Sequence, residues 1–199
     1  SRASPVYGRA PFPPDPRMAR DQIDMTPIES RDELVAWFEA GSKPRESFRI
    51  GTEHEKFAFA LEGHEPVPYE GPRGIHALLN GMRHLLGWEP IMEGENIIGL
   101  YDVTGGGAIS LEPGGQFELS GGPVETVHQT ASEVMAHLAQ VREIARPLRI
   151  GFLGIGMTPK WSRQDMPRMP KGRYRIMTAY MPKVGSLGLD MMYRTCTVQ

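Results

Sequence analysis

The spacing of apolar positions along the chain predicts a mixture of helices and strands. Apolar residues recur every three or four positions in three segments, which predicts helices over 26–41, 75–88 and 124–146. Shorter apolar or alternating runs predict strands over 46–63, 88–103, 107–123, 150–158 and 187–199. The basic, Met- and Pro-rich stretch 159–185 is predicted to be mostly loop, with one or two helical turns. Because these elements do not alternate as regular βαβ units, we predict an α+β fold with an antiparallel sheet.

One predicted strand carries two acids beside apolar residues, in the stretch IGTEHEKFAF at 50–59. Side chains on a strand alternate between faces, so Glu53 and Glu55 share one face with Phe57. His54 and Lys56 point to the other face. The strand therefore places two carboxylates side by side on a face that becomes apolar two residues later.

A second acid pair lies in the predicted hairpin AISLEPGGQFELSGGP, where Pro113-Gly114-Gly115 supplies the turn. If Glu112 pairs with Gln116 across the turn, Ser110 pairs with Glu118, and paired residues share a face. The opposite face then carries only apolar core residues, which are Ile109, Leu111, Phe117 and Leu119.

Four carboxylates, Glu53, Glu55, Glu112 and Glu118, are thus predicted on two strands. Clustered carboxylates raise one another's pKa values and destabilise a fold unless a cation compensates them. Oxygen ligands without clustered Cys or His favour Mg²⁺, with Mn²⁺ possible, over zinc. The competing interpretation is a structural domain whose acids face solvent. The histidines of the predicted helices, including His137, have no metal-ligand spacing and are interpreted as surface or hydrogen-bonded groups.

Composition narrows the class of protein. The net charge of −2 offers no broad basic surface for nucleic acid or an anionic membrane. Apolar runs fall short of the roughly 20 residues of a membrane span. The single cysteine, Cys196, excludes an internal disulfide and favours a reducing compartment, so we predict a cytoplasmic protein.

The Pro- and Arg-rich residues 1–22 are interpreted as a disordered or non-native leader, with an organellar presequence as the less favoured alternative. Residues 23–199 are predicted to form the N-terminal part of a single catalytic domain. Because the chain ends inside a predicted strand, we expect that this piece alone is inactive.

Several long blocks resemble the glutamate–cysteine ligases of plants and α-proteobacteria. They include RIGTEHEKFAF, ISLEPGGQFELSGGPVETVHQT and MPKGRYRIMTAYMPKVGSLGLDMMYRTCTVQ, within a resemblance that runs from about Thr26 to Gln199. It implies a partial catalytic fold like that of glutamine synthetase, with a curved antiparallel sheet and flanking helices. It also implies an ATP-dependent ligase that joins L-glutamate to L-cysteine through a γ-glutamyl phosphate, the first step of glutathione biosynthesis.

The resemblance implies that Glu53, Glu55, Glu112 and Glu118 bind Mg²⁺, and that Glu53, Glu55 and Glu118 are catalytic. The expected substrate-binding residues are Gln116, Lys171, Arg173, Lys183, Arg194 and Gln199. The expected partners are L-glutamate, L-cysteine and ATP, without nucleic acid or membrane. A ligase of the same fold with another amine acceptor is the alternative, and the oligomeric state stays open.

Overall fold

The computed structural model describes residues 26–197, so the predicted leader and Gln199 lie outside the described residues. Five helices, six strands and a short 3₁₀ helix at Arg45–Ser47 make up this part of the chain. The helices are α1 (Arg31–Ala40), α2 (Ile75–Leu86), α3 (Val127–Ala145), α4 (Gly172–Val184) and α5 (Gly188–Arg194). The strands are β1 (Glu53–Ala60), β2 (Glu89–Glu93), β3 (Asn96–Tyr101), β4 (Gly107–Leu111), β5 (Phe117–Gly121) and β6 (Ile150–Leu153).

The six strands form one open sheet in the order β2-β3-β4-β5-β1-β6, and each neighbouring pair is antiparallel. The predicted α+β class with an antiparallel sheet is therefore confirmed. The curvature and the likeness to glutamine synthetase stay predictions.

Strand β1 is divided between two partners. Its first half, 53–56, pairs with β5, and its second half, 57–60, pairs with β6. The other edge of the first half is bonded by the last described residue, because the Glu55 amide donates to the Thr197 carbonyl at 3.1 Å. The acid-bearing half of β1 is thus paired with β5 on one side and bonded by Thr197 on the other, and β5 itself lies between β1 and β4. The pairing with β5 fixes the register of both acid-bearing segments.

The core lies where α2 and α3 pack on the sheet. Helix α2 buries Ile75, Leu78, Leu79 and Met82, four residues at helical spacing. From the sheet, Phe117 stacks on His137 of α3, with ring centroids 6.3 Å apart. Helix α1 contributes no buried residue, although the Ser30 side chain caps it by accepting from the Glu33 amide. None of the helices in the described part of the chain is long and apolar enough to cross a membrane.

Two predictions of local structure were wrong. The stretch predicted as loop contains the 13-residue helix α4, and the strand predicted over 187–199 contains α5 instead. Helix α4 places Tyr174 in the core, with Met177 and Met181 packed beside it at helical spacing. That packing outweighs the charges and the late Pro182 that suggested a loop, because burial of an apolar stripe contributes more than local propensity.

Candidate acidic site

The register of three strands brings the predicted acids onto one face. Glu55 lies directly opposite Glu118, and Ser110 lies opposite Glu118 on its other side. Glu53 lies opposite Ser120, one pair further along the same face. Residues directly opposite each other in an antiparallel pair have neighbouring side chains. The predicted grouping of Glu53, Glu55 and Glu118 is therefore present in the structure.

Glu112 joins this group from the turn of the β4–β5 hairpin. Its amide donates to the Gln116 carbonyl at 2.9 Å, as the predicted pairing requires. The apolar face of the hairpin is also confirmed, because Ile109, Leu111 and Phe117 are fully buried.

Hydroxyl groups donate hydrogen bonds to the carboxylates of Glu55 and Glu118. The Ser110 hydroxyl donates to the Glu118 carboxylate. Thr197 donates to both oxygens of Glu55, from its amide to Oε2 and from its hydroxyl to Oε1, each at 3.0 Å. The Tyr174 hydroxyl donates mainly to the Leu111 carbonyl at 2.6 Å and lies 3.3 Å from Glu112 Oε1. The sequence analysis placed Ser110 on this face, but it did not assign Thr197 or Tyr174 to the site.

The electrostatics of the acidic face disfavour full ionisation. Burial, assisted by the charge of Glu118, raises the pKa of Glu112 from its usual 4.5 to about 7. Burial also raises the pKa of Glu53, and Glu118 adds to that rise. The pKa of Glu55 is raised by burial despite the opposing hydrogen bonds from Thr197. Burial is the main cause of each rise, and the neighbouring carboxylates add to it.

This donor set suits a hard divalent cation chemically, because all its ligand atoms are carboxylate oxygens and the one thiol, Cys196, is buried with a raised pKa. Within residues 26–197, however, no group of three or more His, Cys, Asp or Glu side chains is arranged to hold a metal ion. Glu55 and Glu118 are instead turned toward their hydroxyl donors. The metal-binding and catalytic roles of the four acids stay predictions.

Two of the predicted basic residues lie beside Glu112. The Arg173 guanidinium is 4.0 Å from Glu112 Oε1 and packs over the Tyr174 ring. Lys171 is buried, donates to the Leu111 carbonyl at 3.3 Å, and lies 5.1 Å from the centre of the same ring. Both positive charges act to lower the pKa of Glu112, although burial outweighs them.

The structure does not bring the other basic candidates to the acids. Arg194 pairs with Asp190 at 2.9 Å within α5, and Lys183 is exposed in the last turn of α4. Among the described residues, neither Arg194 nor Lys183 contacts the carboxylates described above.

The buried Gln116 side chain connects two segments of the structure by hydrogen bonds. Its side-chain oxygen accepts from the Gly114 backbone amide at 2.8 Å, and its side-chain nitrogen donates to the backbone carbonyls of Met192 and Thr195. The side chain is 1% exposed. It ties the β4–β5 turn to the end of α5, and its predicted substrate contact would require these bonds to open.

The face opposite the acids holds a buried polar cluster. Lys56 is 1% exposed and donates to the Phe117 carbonyl at 2.9 Å. Burial lowers the pKa of Lys56 to about 8 and the pKa of His137 to about 3. His137 Nε2 is buried without a hydrogen-bond partner among the described residues, so the prediction of a surface or hydrogen-bonded histidine was wrong.

Sequence comparison decides the family. The family model described as glutamate-cysteine ligase family 2 (GCS2) matches residues 49–199, a span that includes both acid-bearing strands. The chain belongs to this family. The resemblance noted in the sequence is therefore confirmed.

Curated relatives agree with this assignment. The chain is 56% identical to a chloroplastic glutamate–cysteine ligase of Medicago truncatula over 179 residues, which cover 90% of this chain and 34% of the relative. It is 58% identical to the chloroplastic glutamate–cysteine ligase of Nicotiana tabacum over 170 residues, or 85% of this chain and 32% of the relative. The chain thus spans about a third of the length of the curated relatives it matches.

The relatives correct one prediction. They are named as chloroplastic enzymes, which points away from the predicted cytoplasmic location. A single cysteine indicates a reducing environment, and that criterion does not distinguish a plastid from the cytoplasm.

Proposed function

We propose that the protein to which this chain belongs is an ATP-dependent glutamate–cysteine ligase that carries out the first step of glutathione biosynthesis. The observation that carries this proposal is the family match over residues 49–199, together with identities of 56% and 58% to relatives named as glutamate–cysteine ligases. The names of those relatives also support a plastid location.

The reaction requires activation of a poor acyl donor. The γ-carboxylate of glutamate attacks the terminal phosphorus of ATP, which forms γ-glutamyl phosphate and releases ADP. The amine of cysteine then attacks the acyl carbon, which forms the amide bond and releases phosphate. Because the chemistry lies in the substrates, the protein contributes positioning and electrostatic stabilisation.

The acidic face is where this chain would contribute most. Glu53, Glu55, Glu112 and Glu118 would hold Mg²⁺, and Mn²⁺ has the same ligand preference. When bound, the cation supplies positive charge that offsets the phosphates of ATP. The raised pKa values of Glu53, Glu55 and Glu112 support this role, because a cation would stabilise their ionised forms.

Arg173 and Lys171 would bind anionic parts of the substrates at the edge of this face. The guanidinium of Arg173 is half exposed and lies beside Glu112, so a carboxylate or phosphate could reach it from solvent. Lys171 is more deeply buried, where its charge would act over a short distance in a low dielectric.

The test uses the full-length protein with Mg²⁺, ATP and glutamate, with and without L-cysteine. We expect ADP release that depends on cysteine and a product with the mass of γ-glutamylcysteine. Equal turnover without cysteine, or with any other amine, would contradict the proposed acceptor.

The acidic face is tested with Glu55→Gln and Glu118→Gln in the same protein. Each is expected to lower turnover by about a hundredfold or more while circular dichroism shows a folded protein, since each removes a charged oxygen ligand. Glu95→Gln, in the exposed turn between β2 and β3, is the matched control and should leave turnover unchanged. Full activity in the Glu55 and Glu118 variants would support solvent-facing acids instead.

A further inference from the structure

Helix α1 and the residues on either side of it lie outside the packed core. Every residue from 26 to 51 is exposed, and α1 buries none of its side chains against the described part of the chain. The segment is anchored to the sheet after the helix, where Ile50 and Val124 exchange backbone hydrogen bonds of 2.7 and 2.9 Å. An ion pair between Arg49 and Glu125, at 3.2 Å, lies beside this anchor.

The exposed helix carries a continuous apolar face. Leu34 and Phe38 lie one turn apart, and Val35 and Trp37 flank them on the same side of the helix. Trp37 is 73% exposed and Phe38 is 79% exposed. These two aromatic and two aliphatic side chains present roughly 400–500 Å² of apolar surface, which is more than isolated surface residues account for.

This face needs a partner for α1 to be stable. With 10 residues, α1 is shorter than the roughly 12–15 residues at which isolated helices are still marginal in water. Ser30 caps the helix, and the Glu33 carboxylate accepts from the Glu29 amide at 3.0 Å, but these bonds bury no apolar surface. Asp32 and Glu39 lie on the opposite side, so α1 has the two-sided pattern of a helix that packs on a larger body.

The length of the relatives indicates what covers this face. The chain spans 34% of the Medicago truncatula relative and 32% of the Nicotiana tabacum relative, so about two thirds of those proteins lies outside it. A second copy of the chain fits less well, because stable dimers bury about 800 Å² on each partner. A segment of the same polypeptide docks on a smaller area, since it is already tethered and loses little freedom of movement on docking.

We propose that the apolar face of α1 is a docking surface for the part of the full-length protein that lies outside these 199 residues. The occupant is an apolar helix or sheet face, because the four side chains of the α1 face offer only one polar group, the indole N–H of Trp37. This contact is independent of the proposed ligase reaction, and it would complete the packing of α1 only in the full-length protein.

The test places a photo-crosslinking analogue of phenylalanine, p-benzoylphenylalanine, at position 38 of the full-length protein. After irradiation, denaturing electrophoresis separates single chains from joined pairs, and mass spectrometry identifies the peptides that are joined within single chains. We expect a peptide containing α1 to be joined to a peptide from outside residues 1–199. The same analogue at position 36, on the far side of the helix, is the matched control and should give about tenfold fewer cross-links.

Amide hydrogen exchange in the full-length protein is a second measurement, and its reference state needs no substitution. The amides of α1 should be protected in the unaltered protein, because docking stabilises the helix. Phe38→Gln should speed their exchange about tenfold or more, whereas Ala36→Gln, on the far side, should leave it unchanged.

Four results would overturn the proposal. Joined pairs of chains would show that a second copy occupies the face, and a cross-link to another residue within 1–199 would show that this chain covers it. Cross-links no more abundant than at position 36, or α1 amides that exchange as fast as those of an unfolded peptide, would show that the face has no occupant.

Discussion

Replacement of Glu112 by Gln should stabilise the 199-residue chain in Mg²⁺-free buffer above neutral pH. The pKa of Glu112 is raised from 4.5 to about 7, chiefly by burial and next by the charge of Glu118. In the folded state the carboxyl group therefore keeps its proton to a higher pH than in the unfolded chain. Between these two pKa values the folded state binds more protons, so folding stability falls as pH rises.

The size of this effect follows from the pKa difference. At about 1.4 kcal/mol for each pKa unit, ionised Glu112 costs the fold roughly 3 kcal/mol above pH 7. At pH 5 that cost is mostly absent, since the folded state is protonated there. Gln is neutral at every pH and keeps a polar group of the same shape beside the Tyr174 hydroxyl, which lies 3.3 Å from Glu112 Oε1. The advantage of Glu112→Gln should therefore increase by roughly 2 kcal/mol between pH 5 and pH 8.

The assay is urea unfolding at both pH values, followed by tryptophan fluorescence. Glu95→Gln, at an exposed turn, is the control and should change stability by less than about 0.5 kcal/mol at either pH. The reasoning would be refuted if Glu112→Gln lowered stability at pH 8, or if its effect were the same at both pH values. Either result would mean that Lys171 and Arg173 fully compensate an ionised Glu112.

Two further predictions concern stability. Burial lowers the pKa of His137 from 6.5 to about 3, so the folded state is destabilised as pH falls from about 6.5 toward 3. His137→Phe removes this titration and can still stack on Phe117. The variant should therefore reduce the difference in unfolding free energy between pH 7 and pH 4 by roughly 3 kcal/mol. The same difference between pH 7 and pH 4 in the variant and the unaltered protein, measured by urea unfolding, would contradict this. Gln116→Leu leaves the Gly114 amide and the Thr195 carbonyl without their partner, so we expect a loss of roughly 2–4 kcal/mol and faster proteolysis near α5, whereas Gln164→Leu on the exposed surface should do neither.

The alternation of side chains was enough to predict the acidic face. A strand with Glu at 53 and 55 must present both on one side, and the Pro-Gly-Gly turn fixes which hairpin residues lie opposite each other. The observed pairs Glu55–Glu118 and Ser110–Glu118 follow the predicted faces. These features depend on local geometry, so they could be predicted from the sequence alone.

The contacts between distant segments could not be predicted in this way. Helices α4 and α5 were missed because their helical spacing is interrupted by charges and Pro182, and only packing against the core stabilises them. The contact of Thr197 with Glu55 was also not predicted, because the two residues are 142 positions apart along the chain. The resemblance implied that Gln116 binds substrate, and its bonds to the end of α5 could not be predicted from the sequence.

The sequence by itself thus determined the family, the antiparallel α+β character and the face on which the acids lie, because periodicity and turn chemistry act within a few residues. The tertiary structure decided which of those acids are buried, which hydroxyl groups hold them, and which basic residues lie beside them. Burial and charge neighbours arise only when distant segments pack together, and they set the pKa values from which the site's chemistry follows. The raised pKa of Glu112 and the hydrogen bonds from Thr197 to Glu55 both result from that packing.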